Sequence, residues 1–328
     1  MFRTKLAVLV CVALLSGCTR AVAPLPDVPR PAPTPPPPIV FPRDAGPHDA
    51  LTEWWYYTGH LSDAAGHRYG FEFTIFQLER QSAPTGYVAH FAVSDITDGT
   101  FSHQARFTTV AQPVAGFPID VNGWTLGGTD VIDATMDTAP WSLHLDLAGE
   151  KPPALHNGGY IDLGADGGSY YYSRTRLSAS GTLNGSQVTG TAWMDHQWGN
   201  FLITQGLAWD WYSIQLDDQT ELMLYVLRGS GQVYGTYIHP DGSLEALRSV
   251  QVEANGSWTS PHTGATYPSG WQVLLPDGRA LRLQPQLADQ ELYFPGQPGV
   301  PYWEGAVDVS GDASGQGYVE LTGYAPVR

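Results

Sequence analysis

The chain has 328 residues, with 16 Lys and Arg against 32 Asp and Glu and a formal net charge of −16. An acidic chain offers phosphate backbones no electrostatic footprint, so nucleic-acid partners are disfavoured. Charged residues make up 15% and aromatic residues 12%, with 37 Gly and 26 Pro; this rules out disorder for most of the chain and suits β structure better than long helices.

In chain order, Arg3 and Lys5 precede an unbroken apolar run, Leu6 to Leu15. The run is too short to span a bilayer as a helix and fits the core of a secretory signal. It ends in Leu15-Ser16-Gly17-Cys18, the form of a bacterial lipobox. Residues 1–17 are therefore expected to be removed and Cys18 to carry lipid. Cys11 falls in the removed segment, so the mature chain would hold no free thiol and no disulfide. Cysteine catalysis and cysteine-ligated metals drop out with it. The expected location is the bacterial cell envelope, with the protein anchored to a membrane through Cys18 and facing the periplasm or the exterior. Residues 18–43 hold ten prolines, four of them consecutive (Pro35 to Pro38). This stretch reads as an extended tether, with a reach of roughly 80 Å at ~3.1 Å per residue.

Residues 44–328 read as antiparallel β. Asp98-Gly99, Asn122-Gly123, Asn157-Gly158, Asp166-Gly167, Asn184-Gly185, Asp241-Gly242, Asn255-Gly256 and Asp277-Gly278 are candidates for type I′ hairpin turns. Strand alternation is clear in Tyr69–Phe76, where Phe71, Phe73 and Ile75 share one face and Glu72 and Thr74 the other. Leu281 and Leu283 alternate with Arg282 and Gln284 in the same way. No stretch keeps a helical period beyond two turns, so sandwiches or barrels are expected.

An internal repeat divides the folded part. Trp54-Trp55-Tyr56-Tyr57-Thr58-Gly59-His60-Leu61-Ser62-Asp63 aligns without a gap on Trp209-Asp210-Trp211-Tyr212-Ser213-Ile214-Gln215-Leu216-Asp217-Asp218, an offset of 155. At the far ends, Val188–Trp193 is matched with Val319–Tyr324. Two related β-domains follow, at 44–199 and 200–328.

The common hydrolase, zinc-protease, nucleotide and calcium-loop motifs are absent. What stands out is Trp193-Met194-Asp195-His196-Gln197-Trp198-Gly199-Asn200, at the junction of the repeats. On a strand, Asp195, Gln197 and Gly199 share one face and His196, Trp198 and Asn200 the other. A bend there would instead let Asp195 orient His196. Glu53–Tyr57, its repeat Trp209–Tyr212, and Ala89–Asp95 with His90 are the further clusters. Aromatic pairs of this kind ordinarily fill cores. His48, His67, His103, His144, His156, His239 and His262 stand in polar or turn contexts and are expected to be solvated.

These blocks carry a resemblance. Glu53-Trp54-Trp55-Tyr56-Tyr57-Thr58-Gly59-His60-Leu61, Tyr69-Gly70-Phe71, Ala89-His90-Phe91-Ala92, Trp193–Gly199, Tyr302–Val307 and Gly317–Tyr324 together resemble the AttH-like, carotenoid 1,2-hydratase (hydroxyneurosporene synthase) family. The resemblance implies an all-β fold of two lipocalin-like antiparallel barrels or sandwiches, consistent with the repeat. It also implies the addition of water across the terminal double bond of an acyclic isoprenoid, with no cofactor. Such a reaction needs a proton donor, a water-positioning group and an aromatic face to stabilise a tertiary cation. His196-x-Trp198 matches the His-x-Trp pair proposed for catalysis in the family. It gives His196 as acid or water-orienter, Trp198 as cation stabiliser and Asp195 as support. Tyr225-Val226-Leu227 stands where hydratases carry Tyr-x-Asp. Leu227 cannot donate a proton, so either Glu53, Glu72 or Asp210 replaces the missing acid, or the chain is a non-hydratase member. Glu53, Trp55, Tyr57, His90, Trp209 and Trp211 are expected to line the ligand site. The expected partner is an apolar isoprenoid or lipid. Three functions stay open: a hydratase, a non-catalytic lipid carrier, and an envelope hydrolase.

Overall fold

The computed structural model describes residues 36–80, 83–111, 113–128, 130–162, 167–201, 208–229, 231–296 and 299–325. The signal segment, Cys18, the tether up to residue 35 and Asp166 lie outside them. Strands make up 63% of the described residues, with one 3-10 turn at Arg43–Ala45 and no α-helix among them.

The first sheet holds β1 (Thr52–Asp63), β2 (Arg68–Arg80), β3 (Ala83–Asp95), β4 (Thr100–Val110), β5 (Ile119–Val121), β6 (Trp124–Gly127), β7 (Val131–Thr135), β8 (Ser142–Gly149), β9 (Ala154–Asp162), β10 (Gly168–Leu183) and β11 (Ser186–Gly199). Its order is β4-β3-β2-β1-β11-β10-β8-β7-β6-β5, with β9 added to β10. The second holds β12 (Trp209–Leu216), β13 (Glu221–Leu227), β14 (Gln232–Ile238), β15 (Leu244–Ala246), β16 (Gln251–Ala254), β19 (Trp271–Leu274), β20 (Ala280–Pro285), β21 (Glu291–Leu292), β22 (Tyr302–Gly311) and β23 (Gly315–Leu321). The short β17 (Ser257–Thr259) and β18 (Thr266–Pro268) pair only with each other. The second order, β15-β14-β13-β12-β23-β22-β20-β19-β16 with β21 added to β22, repeats the first around β12 except that β5 has no counterpart in it. The first sheet curls into a nearly closed barrel and the second into a half-barrel.

Strand alternation decides what each sheet buries. Trp55 and Tyr57 of β1 and Phe71, Phe73 and Ile75 of β2 enter the core of the first barrel. Tyr212 and Ile214 of β12 and Leu281 and Leu283 of β20 enter that of the second. The opposite faces of β1 and β12 meet between the sheets, where Tyr56, Trp193, Trp211, Met223 and Tyr318 form a third core. Glu72 and Thr74, which alternation assigns to the outer face of β2, are buried at this seam.

The seam is welded by polar contacts. Tyr56 donates to Glu304 Oε1 at 2.8 Å, His60 Nε2 to Gly317 O at 3.0 Å and Gln215 to Thr175 O at 2.8 Å. Glu221 is gripped from the first sheet by Lys151 at 2.7 Å and by Arg176 at 2.6 Å. Unpaired, that buried carboxylate would be strongly destabilising.

Two expectations are corrected by the backbone. Both residues of Asn122-Gly123 and Asn184-Gly185 have positive φ, as a type I′ turn requires. Only the glycine does so in Asp98-Gly99, Asp241-Gly242, Asn255-Gly256 and Asp277-Gly278, and Asn157-Gly158 is a left-handed excursion inside β9. The end of the tether also packs: Phe41 meets the Tyr172 ring edge-on at 4.9 Å, and Ile39 lies against the first core.

Candidate functional site

Strand β11 sends the two halves of its motif into different compartments. His196 and Trp198 point into the first barrel, and Asp195 points into the seam. Asp195 therefore does not orient His196. That part falls to Glu53, which pairing with β1 brings alongside: Glu53 Oε1 lies 2.8 Å from His196 Nε2 and 2.7 Å from His48 Nδ1. Its Oε2 accepts from the His48 backbone N–H at 2.8 Å and from Gln77 at 3.3 Å. Trp198 stacks flat on His48 at 4.1 Å, and Trp55 stacks on His196 at 4.8 Å. Burial pushes the His196 imidazole below its ordinary value, against the pull of Glu53. Glu53, Trp55 and Tyr57 are fully buried around this cluster and do not line the cavity described next.

That cavity, of about 730 Å³, opens between the sheets and is lined by Trp54, Tyr56, His90, Asp195, Trp209, Trp211, Tyr225 and Glu320 among others. The volume is ordinary for a small-molecule site. Trp209 and Tyr225 stack at 6.1 Å, and Tyr56 meets Trp211 edge-on at 5.1 Å. Asp195 accepts from Tyr171 at 2.6 Å, from Trp193 Nε1 at 2.7 Å and from Ser173 Oγ. Ser173 in turn lies 2.7 Å from His156 Nε2. Glu320 accepts from Trp209 Nε1 at 2.9 Å, which engages one of its two oxygens. Burial, with Asp195 and Asp210 nearby, pushes Glu320 up to about 7. Behind the cavity Glu72 is pushed up to about 8, and Glu304 is raised by burial and by its acidic neighbours. His90 sits at 2.7 Å from Tyr302 OH, and burial holds it neutral, down at about 3.

Of the sequence candidates, the cavity gathers Asp195, Tyr225, His90, Trp209 and Trp211, and leaves out His196, Trp198, Glu53, Trp55 and Tyr57. None of the acids named to replace the missing Asp lines it. Glu53 is in the first barrel and Glu72 behind the seam, while Asp210 faces Tyr324 and Arg228. Glu320 does line the cavity, and the sequence reading did not name it. The signal lay in the phase of the repeat. Asp195 pairs with Tyr56, and Glu320 with Trp211, so the two acids are equivalents 125 residues apart. Matching Val188 to Val319 slid the ends six residues out of register and hid the equivalence. His48 and His156 are also not solvated: His48 lies against Glu53 and His156 is buried at the seam.

Two curled antiparallel sheets with an aromatic, carboxyl-bearing cavity between them define a lipocalin-like two-sheet protein. The AttH-like family profile matches residues 32–324, and the chain belongs to that family. It is similar to the crystal structure of a putative AttH from Nitrosomonas europaea, with 31% identity and a TM-score of 0.81 over 90% of this chain and 100% of that one. It also shares its fold with kievitone hydratase from Nectria haematococca, with 16% identity and a TM-score of 0.69 over 90% of this chain and 96% of that one. No curated protein matches the chain by sequence.

Proposed function

We propose that the cavity between the sheets binds a long apolar, isoprenoid-type ligand and adds water to its terminal alkene, with Glu320 as the acid. The observation that carries this reading is a protonatable carboxyl set among stacked aromatic faces in a largely apolar cavity. The Glu320 carboxyl gives its proton to the less substituted alkene carbon, and the π bond becomes the new C–H bond. The tertiary cation forms against Trp209, Trp211 and Tyr225, whose faces stabilise it without forming a bond to it. Asp195, held by three donors, positions a water. The water oxygen closes on the cation and its proton passes to Asp195. The sum is alkene plus water to tertiary alcohol, and exchange with solvent resets both acids. Lipidation at Cys18 would hold the cavity near a membrane surface, where such ligands partition.

The largely aromatic lining favours a non-catalytic carrier as the second reading, and speaks against a hydrolase of polar glycans. One experiment separates them. The full chain is purified from an isoprenoid-producing host, its bound ligand extracted and identified by mass spectrometry, and alkene and alcohol forms compared for the parent and Glu320→Gln. The expected result is a bound ligand in both, with hydration at least about 100-fold slower in the variant, since a positioned general acid contributes on that order. Equal hydration in both, or hydration in neither, overturns the hydratase and leaves the carrier. An empty protein that takes up no added polyene overturns both.

A further inference from the structure

The first barrel holds a second constellation that the cavity chemistry does not use. We infer that His48, Glu53 and His196 form a binding site for a zinc-type divalent metal ion, with His48 Nδ1, Glu53 Oε1 and His196 Nε2 as ligands. Two imidazoles and one carboxylate are a donor set that zinc takes, with the fourth position left to water. All three ligand atoms lie within 4.8 Å of one another. The two contacts to Glu53 Oε1, 2.7 and 2.8 Å, are hydrogen-bond lengths. Tetrahedral coordination at about 2.1 Å sets neighbouring ligand atoms roughly 3.4 Å apart, so each contact must open by about 0.6 Å. The His48 side chain is 19% exposed, against 0% for Glu53 and His196, and so marks the way in.

The surroundings of the far ring nitrogens favour the metal over a hydrogen-bonded triad. In a neutral triad both imidazoles spend their only proton on Glu53. His48 Nε2 is then a bare lone pair, buried, without a hydrogen-bond partner among the described residues, and 3.6 Å from Asp44 Oδ1. That leaves an acceptor facing an acceptor, which is unfavourable. A metal at Nδ1 reverses the tautomer: Nε2 becomes N–H and can close on Asp44, a carboxylate–histidine–metal arrangement. Asp44 is already fixed by Arg43 at 2.5 Å and by the Val40 backbone N–H at 2.7 Å. His196 has the same provision, with Tyr172 OH 3.2 Å from its Nδ1. Gln77 and the His48 backbone N–H hold the other Glu53 oxygen, leaving Oε1 for the ion. Two tryptophan faces fix the ring planes. A metal here would clamp the segment entering β1 onto β11, independently of any turnover between the sheets.

The test uses tag-free full chain stripped with a chelator, titrated with zinc chloride by calorimetry, and with cobalt(II) followed by its visible absorption. Nitrogen-15 NMR of the histidine rings reports the tautomers. Expected are one equivalent per chain, a midpoint of thermal unfolding raised by several degrees at saturating zinc, and an Nδ1-bound, Nε2–H state for His48. His48→Ala should weaken binding at least 100-fold, and Asp44→Asn about 10-fold. The inference is overturned if the folded parent takes up no zinc at 100-fold excess. It is equally overturned if zinc binds without changing the His48 tautomer, or if the NMR finds His48 as an imidazolium that zinc does not displace. The ring spectra of the parent decide this even where a variant fails to fold.

Discussion

At the scale of single residues, the seam is defined by acids that cannot easily ionise. Glu72 is the clearest case: it is buried, one carboxyl oxygen has no hydrogen-bond partner among the described residues, and burial lifts it from 4.5 to about 8. Between those values the folded protein holds a proton that the unfolded chain has released. The contribution of Glu72 to stability is thus complete below about pH 4.5 and is lost as the pH rises toward 8. Glu72→Gln keeps the neutral form at every pH. The two proteins should melt together at pH 5, and the variant should be more stable at pH 8, by on the order of a few kcal/mol. Parallel melting temperatures across that range would show that Glu72 does not stay protonated. Much at this scale was legible in the sequence. Once Trp193–Gly199 is a strand, Asp195 and His196 must part. Their partners were not legible, because Glu53 meets His196 across 143 residues and only strand pairing sets that meeting.

At the scale of elements, some neighbouring strands of the first sheet approach so closely that a side chain would not fit between them. A Cβ on Gly190 of β11 would sit 1.9 Å from the backbone oxygen of His60 on the neighbouring β1. The atoms it would meet are backbone of β1, which cannot give way as a flexible side chain can. Gly190→Ala should cost at least about 2 kcal/mol, read as a lower denaturant midpoint at unchanged slope. Gly185→Ala, in the β10–β11 turn with open space around it but φ of +77°, should cost only about 1 kcal/mol of backbone strain. Hairpins were well marked in the sequence because Asn-Gly dictates both turn dihedrals. Asp-Gly does so less strictly: Asp98-Gly99, Asp241-Gly242 and Asp277-Gly278 adopt a single left-handed residue instead, as does Asn255-Gly256. Nor does alternation carry curvature, so the half-barrel form of the second sheet had no signature in its strands.

At the scale of the whole molecule, the seam makes the two sheets one thermodynamic unit. Lys151 and Arg176 reach across to Glu221, and Tyr56 and Trp211 share a core. Parting the sheets would expose that core and leave the buried Glu221 unpaired. Calorimetry of the full chain should therefore show one unfolding transition with matching calorimetric and van't Hoff enthalpies. Two resolved transitions would mean that the halves are independent.

The repeat that relates β1–β11 to β12–β23 also bears on the direction in which a ligand would lie. If two separate copies of one half met about an exact twofold axis, position 195 and position 320 would carry the same acid, and a bound ligand could turn end for end without consequence. In a single chain the two positions have parted into Asp195, fixed by three donors, and Glu320, hydrogen-bonded among the described residues by Trp209. The cavity thereby has a head and a tail. Under the proposed function an apolar chain held there would lie in one direction only, with its reacting end at Glu320, and that direction would follow from how unequal the two halves have become.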